Sequence, residues 1–415
     1  MKNFDIVIVG GGSAGITVAA ILRRVRSSLK VALIEPNDTH YYQPAWTVVG
    51  GGEYSLAKTA RPTKFLIPSG VEWIQKSATS FDPHNNDIVL NDGEKIGYKY
   101  LIACPGIKND WDKIAGLREA VGRNGVCSNY SAETVQSTWE FIDDFKGGAA
   151  LFTQPPLPFK CPGAPQKIAY LAADRWRKRG MDADCDVHFL TATPGMFGVP
   201  YFAKALNKVI ESYGITPHFN HNLVAIDAGK REATFEVTDA DGNKTHTNIK
   251  YDLLHVTPPQ SPPDFVKNSP LANEAGYIEV DQHTLQSTRF DNVFALGDAT
   301  STPNSKTAAA VRKQAPVLVD NLLAFIDGKE LTAQYDGYAS CPITTSLDKV
   351  MLAEFIYGGK VTPSFRMEPN VPRKIWWWGK TNGFPILYWD LMLKGRTYID
   401  IGHSEEKAAP FMNDA

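Results

Sequence analysis

The chain lacks a cysteine framework, a basic surplus and a long hydrophobic run. Each absence removes a class of protein. Five cysteines without regular spacing make neither a secreted disulfide scaffold nor a zinc site, so no metal is expected. A formal net charge of −2, from 43 Lys and Arg against 45 Asp and Glu, leaves no electrostatic footprint for nucleic acid. No apolar run reaches the ~20 residues that a helix needs to cross a bilayer. No internal repeat or low-complexity segment stands out. Strand-like residues follow almost directly on Met1, so no signal or transit peptide is expected and the chain is placed on the cytosolic side. The composition does supply a core: 415 residues, 43% of them apolar, suffice for two or three domains.

The N-terminal segment carries a phosphate-binding pattern. Phe4 to Val9 reads as a buried parallel strand, and Gly10, Gly12 and Gly15 form G-x-G-x-x-G around Ala14. Ile16 to Arg26 reads as a helix, and Val31 to Ile34 as a second strand ending at Glu35, about twenty residues beyond Gly15. Glycines let backbone N–H groups approach a pyrophosphate, and an acid at Glu35 accepts from a ribose 2′-OH. A glycine-rich turn beside a surface glutamate would give the same motif in isolation. Strand, helix and Glu35 in register argue for a dinucleotide.

Two later segments decide which dinucleotide. Tyr98 to Gly106 is a strand running into a small-residue turn, and Asp291 to Ala299 is an apolar strand ending on Gly297-Asp298. They resemble the A-T-G and G-D motifs of flavoproteins with two dinucleotide-binding domains, which implies FAD. The Cys104-Pro105 pair departs from that pattern, and Cys104 reads as a small buried hydrophobe.

A second βαβ unit follows, with strands at Ala149–Thr153 and Asp186–Leu190 flanking a helix from about Pro165 to Arg179. Its glycine fingerprint is missing. Phe159-Lys160-Cys161-Pro162-Gly163-Ala164-Pro165 stands there instead, with prolines that remove N–H donors and a thiol that brings redox chemistry. Thr191 to Gly195 offers no acid for an NADH ribose. The proline-rich Thr257–Pro263 reads as a rigid return connection. The expected fold is therefore α/β with two Rossmann-like domains: residues 1–115 and a return segment 285–335 for FAD, 116–284 for the second domain carrying Cys161, and 336–415 for a C-terminal region.

That C-terminal region differs in kind. Between Val371 and Arg396, Trp376, Trp377, Trp378, Phe384, Tyr388 and Trp389 alternate with Arg373, Lys374, Lys380, Lys394 and Arg396. Such a pattern suits an amphipathic segment lying in the headgroup boundary of a membrane. A hydrophobic cluster closing the core or a dimer interface would show the same residues, and the two readings stand level.

Lys160 to Lys167, Leu254 to Pro259, Ser305 to Ala310 and Tyr335 to Pro342 together resemble sulfide:quinone oxidoreductases, in the branch that includes the mitochondrial enzyme. The resemblance runs along nearly the whole chain. It implies FAD, hydrogen sulfide as substrate, a ubiquinone or menaquinone acceptor, a small sulfur acceptor (sulfide, a thiol or sulfite), and a Cys161–Cys341 redox pair. It also implies a peripheral membrane protein on the cytoplasmic face of a bacterial inner membrane, and it is compatible with a homo-oligomer. By analogy, hydrosulfide attacks the oxidised pair at Cys341, leaves a persulfide there and frees Cys161 as the flavin-side thiolate, with Lys167 as the cation that helps. Carried over position by position, the FAD contacts are Gly10, Gly12, Ala14, Gly15, Glu35, Gln43, Ala78, Gly106, Gly297, Asp298, Lys306 and Lys380, the last near the flavin pyrimidine edge. Ile343, Phe384 and Tyr388 would line an apolar quinone slot.

Cys127 matches a third cysteine of other branches, either a bystander thiol or a participant in sulfur-chain growth or a flavin link. Cys185 lies between Asp184 and Asp186, which should raise its pKa. Two other functions fit parts of the pattern. A type-II NADH:quinone oxidoreductase requires the second glycine fingerprint, and a non-catalytic, redox-sensing FAD protein has no need of a cysteine pair together with a quinone-suited tail.

Overall fold

The computed structural model describes residues 1–396 and 402–412. Its first sheet is ordered Val71–Ile74, Val31–Ile34, Lys2–Val9, Lys95–Ala103, Asp87–Leu90, Ala78–Asp82, with Val293–Ala295 also paired to Lys95–Ala103. The central strands are parallel and buried on both faces, which is why Ile6 to Val9 and Val31 to Ile34 are continuous apolar runs rather than alternating ones. Helix Ser13–Val25 packs against helix Ala308–Ile326. The return segment therefore completes the domain that the N-terminus begins.

The second sheet is parallel throughout: Val126–Cys127, Leu253–His255, Gly148–Gln154, Cys185–Thr191, Thr216–His218. Helix Ala164–Lys178 makes the crossover between Gly148–Gln154 and Cys185–Thr191. A three-stranded antiparallel meander from His221 to Lys250 is appended.

The chain returns to the first domain earlier than the expected boundary at 284. Gln260–Ser261 pairs antiparallel with Lys108–Asn109, so the proline-rich segment is the crossing itself. Beyond it Val266, Leu271, Ile278 and Val280 join Phe4, Val7 and Val293 in one core cluster, covering a face of the first sheet.

After the return helix, the ribbon Ala339–Ser346/Lys349–Phe355 packs on helix Ala164–Lys178. The aromatic tail then forms successive helical turns from Lys374 to Lys394. The core-closing reading of that tail holds for one of its faces, and another face stays exposed. Tyr388, Trp389, Met392 and Leu393 complete the core around helix Ser13–Val25, whereas Ile375, Trp378 and Ile386 are 53%, 59% and 56% exposed. Gly395 fixes the path, since a Cβ there would lie 2.7 Å from backbone atoms of Ala20 and Ile21. Among the described residues no helix is long and apolar enough to cross a membrane.

Candidate active site

A cavity of about 800 Å³ runs from the glycine turn to the C-terminal ribbon and tail. Its first end is a dinucleotide cradle. Gly10 has φ +106°, and a Cβ there would meet the Cys104 carbonyl oxygen at 2.3 Å, so the turn closes only with glycine. Gly12 opens on the cavity with nothing within 4 Å of a Cβ position, leaving the approach of a pyrophosphate free, and Gly15 abuts the Gly10 carbonyl where the helix packs on the strand. The helix starting at Ser13 has no acidic residue in its first turn and no side-chain cap, so its N–H groups and dipole face the cavity. Glu35 borders the same end, accepting from Gly11 N–H at 2.8 Å. Gly106, Gly297, Asp298 and Lys306 line the same cavity, with Gly297 beside Ala14. This shape and donor set fit FAD.

Midway along the cavity lies Cys161, in a turn with φ +52°. Its N–H donates to the Lys306 carbonyl at 2.8 Å, which pins the second domain's thiol onto the first domain's return segment. Cys341 Sγ is 3.5 Å away, and Lys167 Nζ donates to Cys161 Sγ at 3.0 Å. The two thiols are electrostatically unequal. Donation from Cys341 and then the Lys167 charge hold Cys161 well below the ordinary thiol pKa, against the opposing effect of burial. The hydrogen bond to Cys161, then burial and the negative charge on that neighbour, push Cys341 well above it. Burial would lower Lys167, but the two sulfurs keep it raised and charged.

Lys380, Lys306 and Lys160 also line this cavity. Lys380 is pushed down to about 7 by burial and then by Lys167, against the opposing pull of the two cysteines. Lys306 and Lys160 fall to about 8 by burial, with Asp298 opposing in both cases. Lys306 donates to the Thr300 and Thr302 carbonyls at 2.7 and 3.1 Å, and Lys160 to Gln43 Oε1 at 2.8 Å. Lys160 was missed in the sequence because its neighbour Cys161 carried the motif. His255, pushed to about 3 by burial and hence neutral, holds Asn129 at the wall through a 2.9 Å hydrogen bond.

The ribbon separates two environments by simple alternation. Cys341, Ile343, Met351 and Ala353 face the core beneath Cys161, while Ser340, Pro342, Leu352 and Glu354 face the cavity. This alternation corrects the quinone-slot expectation for Ile343, which is fully buried in that core. It also shows Cys341 within a strand and fully buried. Phe384 does line the cavity, with Leu387, Phe365 and Met392. Tyr388 lines it too, but as a polar strut: its hydroxyl lies 2.7 Å from Ser13 Oγ and 2.5 Å from His40 Nε2, tying the tail to the glycine turn. Ala78 belongs to the core under the first sheet and is not among the cavity-lining residues.

The remaining thiols stand apart. Cys127 is fully buried in the second sheet and pushed up to about 12 by burial. Cys185 rises to about 11 chiefly by burial, then by Asp184 and Asp182 rather than Asp186. Cys104 is raised by burial and donates to the Gly10 carbonyl.

Fold and cradle define a flavin-dependent disulfide-oxidoreductase class, and the family model described as "Pyridine nucleotide-disulphide oxidoreductase" matches residues 4–138 and 169–315. Within that class, the chain is 44% identical over 402 residues to "Sulfide:quinone oxidoreductase, mitochondrial" of Dictyostelium discoideum, covering 96% of this chain and 88% of that one. It is 42% identical over 394 residues to the protein of the same name from Mus musculus, covering 95% and 87%. At these identities the chain belongs to the sulfide:quinone oxidoreductase family, and FAD is its cofactor. The solved sulfide:quinone oxidoreductase of Aquifex aeolicus shares the fold, with a TM-score of 0.77 at 20% identity over 100% of this chain and 96% of that one. A Plasmodium falciparum NDH2 structure in complex with NADH matches less completely: TM-score 0.55, 15% identity, 72% of this chain and 64% of that one.

Proposed function

We infer that this chain oxidises hydrogen sulfide to sulfane sulfur on the Cys161–Cys341 pair and passes the electrons to a membrane quinone. The observation that carries this reading is the thiol pair, 3.5 Å apart with Lys167 3.0 Å from Cys161, standing where an NADH-binding turn would need glycines. FAD, when bound in the cradle, accepts two electrons from the sulfur pair and yields two to the quinone.

In the first step hydrosulfide attacks Cys341 of the oxidised pair. A sulfur–sulfur bond forms at Cys341, the bond to Cys161 breaks, and its electron pair leaves as the Cys161 thiolate. Thiol exchange expels the sulfur with the lower pKa, and the cation beside Cys161 makes it that sulfur. Gly163 keeps space at the attacked atom, since a Cβ there would lie 2.7 Å from Cys341 Sγ. Cys161 borders the cavity among Lys160, Lys167 and Lys380, as a flavin-side sulfur should. A small nucleophile (sulfide, a thiol or sulfite) then removes the outer sulfur from the Cys341 persulfide.

The exposed Ile375, Trp378 and Ile386 support peripheral attachment to a lipid surface, with the apolar compartment at Pro342, Leu352, Phe365 and Phe384 taking the quinone ring. The bacterial cytoplasmic address gains no support from the D. discoideum and mouse relatives, whose names place them in mitochondria. Purified protein with decylubiquinone, offered sulfide or NADH in turn, tests the reading. Quinone reduction with sulfide alone is expected, and reduction with NADH alone contradicts it.

A further inference from the structure

On the cavity face of the ribbon, directly across from Ser340, lies Glu354, 3% exposed. A buried carboxyl is costly unless its oxygens are satisfied, and these are. Oε1 accepts from the Tyr338 hydroxyl at 2.5 Å and the Ser364 hydroxyl at 2.6 Å, while Oε2 accepts from the Ser364 N–H at 2.9 Å. All three residues line the cavity beside the apolar compartment of Pro342, Leu352 and Phe365. Oε1 thus carries two hydroxyl donors, and Oε2, with its single N–H, keeps a lone pair for a proton.

The surroundings are rich in cations and lead outward. Arg312, from helix Ala308–Ile326, lines the cavity and acts electrostatically on Tyr338, and Lys313 Nζ lies 5.4 Å from the Tyr338 ring. The His403 ring stacks 4.2 Å from that of Tyr338, with its Nε2 2.6 Å from Asp336 Oδ2. Asp336 Oδ1 accepts from the Tyr338 N–H, and Lys407 Nζ donates to the Ser364 carbonyl at 3.0 Å. Sulfur chemistry uses none of these groups.

We propose that Glu354, held by Tyr338 and Ser364, is the proton donor to a quinone oxygen during quinone reduction. The proposal rests on the quinone reading above. Quinone becomes quinol by taking two electrons and two protons, whereas oxidation of hydrosulfide to sulfane sulfur releases two electrons and one proton. The second proton comes from water. As the electron pair supplied by the established reaction reaches the quinone, the Glu354 O–H bond breaks and a quinone O–H bond forms. The carboxylate left behind keeps its three donors until water reprotonates it.

The test separates the two half-reactions of the holoenzyme in rapid-mixing experiments. Glu354→Gln keeps the shape and removes the transferable proton. Its flavin is expected to be reduced by sulfide at the parent rate, while reoxidation by decylubiquinone slows by about 10²-fold, the usual size of one general acid. The parent's solvent isotope effect on that step should vanish with it. Ferricyanide, which takes electrons without protons, should reoxidise parent and variant equally. Should Glu354→Gln fail to retain flavin, Glu354→Asp carries the same readouts, with slowed quinone reoxidation and unchanged ferricyanide reoxidation expected. Quinone reoxidation within twofold of the parent, or equal slowing with ferricyanide, overturns the proposal. Failure of the parent's own reduced flavin to react with quinone would instead overturn the functional reading beneath it.

Discussion

Replacing Lys167 by Met removes the cation 3.0 Å from Cys161 Sγ without emptying the space it fills. The sign follows from the thiol: its charged form loses a partner, so its pKa rises. A hydrogen bond to a charged group is worth about 1.5–3 kcal/mol. That free energy is withdrawn from the thiolate alone, so the pKa moves upward. The remaining depression comes from Cys341, the largest contribution to the low value. Iodoacetamide alkylation of the anaerobically reduced protein, followed against pH in a Cys185→Ser background, reports the shift directly. Cys104 and Cys127 are buried and stay silent. The same change leaves less of Cys161 as thiolate at a given pH, so flavin reduction by sulfide should slow most at low pH and recover as pH rises. An alkylation midpoint identical to the parent's would refute the reasoning that Lys167 contributes to the asymmetry of the pair.

Cys161→Ser and Cys341→Ser should each abolish sulfide-dependent quinone reduction while FAD stays bound, whereas Cys127→Ser, at a buried position that does not line the cavity, should turn over normally; steady-state assays with flavin spectra check all three. Ile343→Ala should cost about 2–5 kcal/mol in denaturant melts and leave the KM for decylubiquinone unchanged, while Leu352→Ala should raise that KM. Charging the exposed tail face with Ile375→Glu, Trp378→Glu and Ile386→Glu together should move the protein from pelleted vesicles to the supernatant without altering flavin reduction by sulfide. Truncating the whole tail is a poorer test, because Tyr388, Trp389 and Met392 belong to the core.

Much of this was legible in the chain because local patterns encode local geometry. Glycine spacing specified the cradle at Gly10, Gly12 and Gly15, and the apolar runs gave the parallel strands within a residue or two. Long-range pairing was not encoded locally. Cys161 and Cys341 were paired through family resemblance, since nothing in either segment alone shows that a strand and a turn will meet. Ile343 was misplaced because the face of a strand depends on register, and a one-residue step exchanges Ile343 for Pro342. Glu354 escaped notice because a lone acid in an apolar strand shows its meaning only once Tyr338 and Ser364 surround it. The domain crossing was drawn late because Val266, Leu271 and Ile278 are apolar in either domain, and only packing reveals which sheet they cover.

The central claim is that sulfur, and not a nicotinamide, delivers electrons to this flavin. Anaerobic rapid mixing of the FAD-loaded protein with sulfide, and separately with NADH, reads it at the flavin absorbance band. Fast bleaching by sulfide and none by NADH is the predicted result, while bleaching by NADH with an unresponsive flavin in sulfide would contradict the account.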